Sequence, residues 1–193
     1  MVLYKIMKIL ITPKIIEALE YAAIAHTGQK RVVTGAPYIS HPFGVSLILA
    51  NAGYGEDVVV AGVLHDVIED TEEVESTIAY KFGTNVSEMV HGASEDKTIK
   101  VRAERKLNHL EKLRNSSLEV LAIIAADMLH NRYCAMLELK GGRTREQVAN
   151  DTTTSEYIRE GFEKMGVIQE RLHNEIVIEL EKVMEEIKIL FAQ

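Results

Sequence analysis

Apolar residues recur at three- and four-residue spacing through most of the chain, which is helical periodicity. Thr12 followed by Pro13 supplies an N-cap and a proline at the first helical position, opening a helix through KIIEALEYAAIAH. TGQKRVVTGAPY, punctuated by Gly28, Gly35 and Pro37, reads as a loop. Ser40-His41-Pro42 starts a second helix, FGVSLILAN, closed by Gly53. Glu56 or Asp57 caps a third, VVVAGVLHDVIED, and Thr71-Glu72-Glu73 opens a fourth that stops at Phe82-Gly83. A short fifth, VSEMVHGAS, precedes the basic stretch KTIKVRAERKLNHLEKLRN. Ser116-Ser117 then introduces a long apolar helix, LEVLAIIAADMLHNRYCAMLEL, ended by Gly141-Gly142. From Arg145 onward the pattern is that of two amphipathic helices. No run alternates as strands do, so the expected fold is all-α, with the apolar first dozen residues, MVLYKIMKILIT, left unassigned.

Length and composition narrow the class. A chain of 193 residues suits one domain, 1–193, with residues 150–193 as a C-terminal helical extension. With 47% hydrophobic residues and three prolines it is expected to be globular. A single cysteine, Cys134, excludes an internal disulfide and a cysteine zinc site. A net charge of -7 argues against a general DNA, RNA or membrane-surface binder. No stretch approaches the ~20 uninterrupted apolar residues of a membrane span. The N-terminus lacks the long apolar core and small-residue cleavage site of a secretory signal, so a cytoplasmic location is expected.

Polar groups interrupt this apolar pattern at particular places. In VLHDVIEDT, His65 and Glu69 are four residues apart, as are Asp66 and Asp70, so on one helix two acid-bearing stripes would lie side by side. A metal ion, a substrate cation or solvent can each relieve their repulsion. Asp127 follows nine residues of which Glu119 is the one polar member, so its carboxylate is expected to be buried, and unpaired it would be costly. A hydrogen bond to His130 within the helix is the simple structural explanation. A histidine at a helix start, such as His41, is ordinarily a cap or surface group.

As a set, His41, His65, Asp66 and Asp127 offer two imidazoles and two carboxylates, which suits Mn, Fe, Zn or a similar divalent ion. Such an ion lowers the pKa of a bound water and polarises a phosphoryl oxygen. Glu69 and Asp70 lie one turn beyond, where carboxylates can orient that water or carry its proton; the plain alternative is a solvated helix end. Between Lys97 and Arg114 there are seven basic residues and two acidic ones. Arg102, Arg105 and Lys106 share a helical face, a positive strip suited to a phosphorylated small molecule or an ordinary solvated face. Lys30 and Arg31, in the glycine-flanked loop, are a second pair able to meet phosphate or base. His26, His91, His109 and His173 read as surface or packing residues, and Cys134 as structural.

The pairing of His65-Asp66 with the earlier His41 and the late Asp127 resembles the HD metal-dependent phosphohydrolase superfamily. GQKRVVTGAPYISHP, AGVLHDVIEDT and ADMLHNR are similar to the hydrolase domain of the RelA/SpoT homologues, above all to the small stand-alone alarmone hydrolases. The likeness runs from about the first helix to the Asp127 helix. It implies an all-helical HD-domain bundle and one Mn²⁺ held by His41, His65, Asp66 and Asp127. It implies removal of pyrophosphate from the 3′ position of guanosine tetra- or pentaphosphate, giving GDP or GTP. Glu69 and Asp70 match the family's catalytic acidic pair, and Asn131 matches a residue that contacts the nucleotide. Arg31 lies near the base-stacking arginine, and KVRAERK falls where phosphates are handled. Met128 departs from the basic residue usual after the aspartate, and Val32-Val33 from a more polar loop. No synthetase-like second domain follows, so hydrolysis alone is expected.

Two other readings compete. One is an HD phosphohydrolase acting on another nucleotide or a phosphomonoester. The other is a non-catalytic nucleotide-sensing module that keeps the metal for stability. The two C-terminal amphipathic helices can complete the core or form a homodimer interface.

Overall fold

The computed structural model describes residues 11–32, 34–149 and 153–192. The unassigned N-terminus up to residue 10, and Val33, lie outside the described residues. Eleven helices make up the described fold: α1 (Pro13–Ala25), α2 (Ser40–Asn51), α3 (Glu56–Leu64), α4 (Val67–Asp70), α5 (Glu75–Phe82), α6 (Thr84–Ala93), α7 (Arg102–Asn115), α8 (Leu118–Lys140), α9 (Arg145–Ala149), α10 (Thr154–Gln169) and α11 (Glu175–Ala192). Among the described residues the nearest thing to a sheet is one bridge, Lys30 to Pro37, which closes the loop before α2.

The starts follow local chemistry. Thr12 accepts a hydrogen bond from the Ile15 amide with Pro13 in the first turn, and Ser117 does the same for Val120 at the head of α8. Thr153 and Glu156 form a reciprocal capping box at α10. The expected third helix, in contrast, is two. It breaks after Leu64, and His65 and Asp66 form the turn between α3 and α4. The Ser94 hydroxyl lies 3.3 Å from the His65 carbonyl at that break. Thr71 closes α4 instead of opening the next helix: its hydroxyl donates to the Val67 carbonyl at 2.6 Å and accepts from the Glu73 amide at 3.1 Å. The acidic stripes anticipated on one continuous helix are therefore split by a turn.

α8 is the axis of the core. By length and hydropathy it is apolar enough to cross a membrane, yet ten of its residues are buried here. It packs against α11, α2, α6 and α3. Two glycines permit close approach: a Cβ on Gly62 would lie 2.4 Å from Leu49 Cδ1, and one on Gly44 would lie 2.2 Å from the His130 ring. The C-terminal segment is part of the same core. Leu180, Met184 and Ile187 of α11 are fully buried, and each such side chain contributes ~1.5–3 kcal/mol by leaving water.

Candidate active site

Three stretches of chain deliver the His–Asp cluster: His41 from the first turn of α2, His65 and Asp66 from the α3–α4 break, and Asp127 from the middle of α8. His41 Nε2 lies 3.6 Å from Asp66 Oδ2 and 3.2 Å from Asp127 Oδ1. His65 Nε2 lies 3.1 Å from Asp66 Oδ2 and 3.9 Å from Asp127 Oδ1. Ligands ~2.1 Å from a common divalent ion sit roughly 3.0 Å apart at right angles and roughly 4.2 Å apart across it. All four separations fall in that window.

The hydrogen bonding also fits a cation. His65 Nδ1 is 2.9 Å from the Gly62 carbonyl, which can accept but not donate, so Nδ1 carries the proton. That leaves Nε2 turned to the carboxylates, the atom that would give its lone pair to a cation once its proton is displaced. His41 is arranged likewise, its Nδ1 2.9 Å from His130 Nδ1 and its Nε2 turned to the two aspartates. Tyr38 donates its hydroxyl to Asp66 Oδ2 at 2.6 Å, and Asn131 donates to Asp127 Oδ1 at 2.6 Å. Burial is the largest influence on His65 and would lower its pKa; the Asp66 and Asp127 carboxylates together outweigh it and raise the imidazole to about 9. Burial likewise works against the charge on Asp66, but His65 and His41 hold its carboxyl well below the usual range. The cluster is built to keep positive charge between two carboxylates.

A cavity of about 270 Å³ opens on this cluster and is lined in addition by Glu69, Glu95, Lys106, His109, Asn131, Arg132 and Lys164. Glu69 is anchored on its wall by the Glu95 amide at 2.8 Å and by Lys97 at 3.0 Å. Burial raises the Glu69 pKa against the pull of those two donors. Asp70 is not on this wall; its carboxylate lies 3.3 Å from Lys97 and its carbonyl accepts from Gln29. A second cavity of about 310 Å³ shares Tyr38, Asn131 and Arg132 with the first and is lined by Arg31, Thr34, Cys134 and Tyr157. There Arg31 Nη2 donates to Asn131 Oδ1 at 2.6 Å, which ties the loop to the Asp127 face of α8.

The basic strip is largely neutralised. Arg102 makes a two-point pair with Glu160 and lines a separate groove between α7 and α10. Arg105 and Lys106 both reach Glu95, at 3.1 and 2.5 Å, and of these α7 bases Lys106 alone lines the cavity beside the His–Asp cluster. Lys30 is exposed and lines neither cavity. The hydrogen bond expected between Asp127 and His130 is absent among the described residues: Asn131 takes Asp127, while His130 takes His41. His109, read as packing, is a buried cavity wall. Sequence reasoning missed Tyr38, His130, Arg132 and Lys164. For Tyr38 the three-residue spacing to His41 was an available signal. For Lys164 there was none, because the register of α10 against α8 is set by tertiary packing.

Residues 18–155 match the HD domain family. The chain is 36% identical over 121 residues to guanosine-3′,5′-bis(diphosphate) 3′-pyrophosphohydrolase MESH1 of Mus musculus, covering 61% of this chain and 67% of that one. It is 39% identical over 92 residues to the guanosine-3′,5′-bis(diphosphate) 3′-pyrophosphohydrolase of Aquifex aeolicus, covering 48% of this chain and 13% of that one. Among solved structures, one described as a metazoan ortholog of SpoT that hydrolyzes ppGpp superposes with a TM-score of 0.76 at 28% identity, covering 91% of this chain and 96% of the other.

Proposed function

We infer that this chain, which belongs to the HD domain family, hydrolyses the 3′-diphosphate of guanosine tetra- and pentaphosphate to release pyrophosphate and GDP or GTP. The observation that carries this reading is that His41, His65 and Asp127 lie close enough to share an ion, with Asp66 against both histidines and a further carboxylate, Glu69, on the wall of the same cavity. Mn²⁺ is the proposed occupant, since two imidazoles and two carboxylates without a thiolate suit it. A divalent ion bound there supplies a polarised phosphoryl oxygen and a water of lowered pKa.

The chain's own residues do the rest. Glu69 is the proposed base: two fixed donors hold its orientation, and burial brings its pKa up from the ordinary glutamate value toward working pH, where proton transfer is most effective. It takes the proton of the water that attacks the 3′ phosphorus as the bond to the ribose 3′ oxygen breaks, and returns that proton to the departing oxygen. Asp70 shares Lys97 with Glu69 and so helps place both. Lys106, paired with Glu95, stands on α7 beside the same cavity. The nucleoside fits the adjoining cavity, where Arg31 presents a planar cation and Asn131 joins the two cavities.

The test is hydrolysis of guanosine tetraphosphate in ¹⁸O-labelled water with Mn²⁺ supplied, alongside a panel of other nucleotides and phosphomonoesters. The label is expected in pyrophosphate and not in GDP, with the guanosine 3′-diphosphates turned over far faster than the panel. Orthophosphate as product, label in the nucleotide, or equal turnover of a simple phosphomonoester would overturn the assignment.

A further inference from the structure

Lys164 lines the same cavity as His41, His65, Asp66, Glu69 and Asp127, but comes from α10, beyond the span that matches the HD domain. Most of the charged groups around it are already in ion pairs, although Arg132 Nε and His109 Nδ1 on the same wall lack hydrogen-bond partners. Glu95 holds Arg105 and Lys106, Glu160 holds Arg102, Glu163 holds Arg159, and Glu69 holds Lys97. Arg132 lies over the Tyr157 ring, 3.9 Å from its centroid. Among the described residues no hydrogen bond or ion pair reaches the Lys164 ammonium, although the residue is partly buried.

An ammonium in such a place is costly unless something anionic meets it. Asp66 and Asp127 are the carboxylates left without a basic side chain of the Lys or Arg type, and they face the proposed divalent ion, whose two charges they balance. With that ion in place Lys164 is surplus positive charge on a cavity wall. A diphosphate, carrying several negative charges and many acceptor oxygens, is the complementary ligand.

We propose that Lys164 binds the 3′-diphosphate of the substrate, completing from α10 a phosphate site whose other elements lie on α2, the α3–α4 turn, α4 and α8. The proposal rests on the hydrolase reading above. Burial, with Lys106 next, lowers the Lys164 pKa, and Asp127, Glu95 and Glu69 pull the other way. An arriving phosphate would oppose that lowering and fix the charged form.

The test uses Mn²⁺-loaded full-length protein carrying Glu69→Gln, so that binding is read without turnover, with Lys164 either kept, changed to Met or changed to Arg. Equilibrium dialysis measures guanosine tetraphosphate, and separately inorganic pyrophosphate, while the EPR signal of bound Mn²⁺ reports that the ion stays in place. Lys164→Met is expected to weaken both ligands about tenfold or more, and Lys164→Arg by about threefold or less, the range set by one charge-assisted contact. Mn²⁺ affinity and thermal midpoint should be unchanged. Pyrophosphate and nucleotide binding by Lys164→Met within about twofold of the parent would overturn the proposal, as would a loss of Mn²⁺ affinity as large as the loss of ligand affinity. If the Lys164-containing protein binds pyrophosphate but not guanosine tetraphosphate, the substrate reading fails while the pyrophosphate comparison still decides on Lys164.

Discussion

Replacing His130 with leucine takes away the group that meets His41 Nδ1 at 2.9 Å. For His41 Nε2 to serve a metal, Nδ1 must carry the proton and donate it, so His130 Nδ1 must accept, which requires a neutral His130. The structure keeps it neutral: burial, then His41 and Arg31, lower its pKa to about 4. His41 is 1% exposed, so the orphaned N–H would find no water. Leaving a buried donor unpaired costs ~1–3 kcal/mol, which agrees with the roughly 10–100-fold loss of metal affinity that outer-sphere mutations cause. Mn²⁺ titration followed by EPR should show His130→Leu weakened by about that factor with the thermal midpoint nearly retained. His130→Asn, whose amide oxygen can accept near the same point, should recover much of it. Gly44→Ala should copy the leucine variant without touching His130, because the new Cβ would stand 2.2 Å from the imidazole and force it aside. Mn²⁺ affinity within twofold of the parent in both His130→Leu and Gly44→Ala would refute the reasoning.

Other consequences follow from the same geometry. Glu69→Gln keeps the shape but not the basicity, so kcat should fall about 10²–10⁴-fold while Mn²⁺ still binds; in the parent, the acidic limb of kcat/KM should lie above the ordinary glutamate range, as the raised Glu69 pKa requires. Mn²⁺ uptake near pH 7.5 should release about one proton, read from calorimetry in buffers of different ionisation enthalpy, because metal-free His65, with its pKa raised to about 9, is protonated there. The same shift is a stability statement: a raised pKa in the folded state stabilises metal-free protein below the unfolded value of 6.5 and loses that contribution as pH rises through about 9, so its melting temperature should fall across that window more than that of the Mn²⁺-loaded form. Arg102→Ala should leave KM within about twofold, since its guanidinium is held by Glu160 in a half-buried pair and lines a separate groove. Leu180→Ala should destabilise by ~2–5 kcal/mol yet keep a single denaturant transition, because α11 and α8 share one core.

The all-helical architecture and the identity of the four cluster residues were legible because they rest on short-range signals: periodicity, the Thr12-Pro13 and Ser116-Ser117 starts, and polar groups inside apolar runs. What could not be read was which partner each polar group would choose. Arg102 and Arg105 looked like phosphate ligands because a helical wheel shows a shared face, not Glu160 or Glu95 arriving from elsewhere. The α3–α4 break was hidden because VVVAGVLHDVIED has no proline and its one glycine, Gly62, stands inside α3 before the break, so nothing local marks His65 as a helix end. Its cause is tertiary, with Ser94 brought near the His65 carbonyl. Asp70 was paired with Glu69 by adjacency, and the structure gives them different surroundings: Glu69 lines the cavity and Asp70 does not.

The central claim is that one divalent ion, gathered by His41, His65, Asp66 and Asp127, makes the guanosine 3′-diphosphate susceptible to water. Its most direct test is pyrophosphate release from guanosine tetraphosphate by chelator-treated protein as Mn²⁺ is returned in measured amounts. The account predicts no release before addition, then a rise that saturates at one Mn²⁺ per chain. Release that persists through chelation, or that ignores returned Mn²⁺, would contradict it.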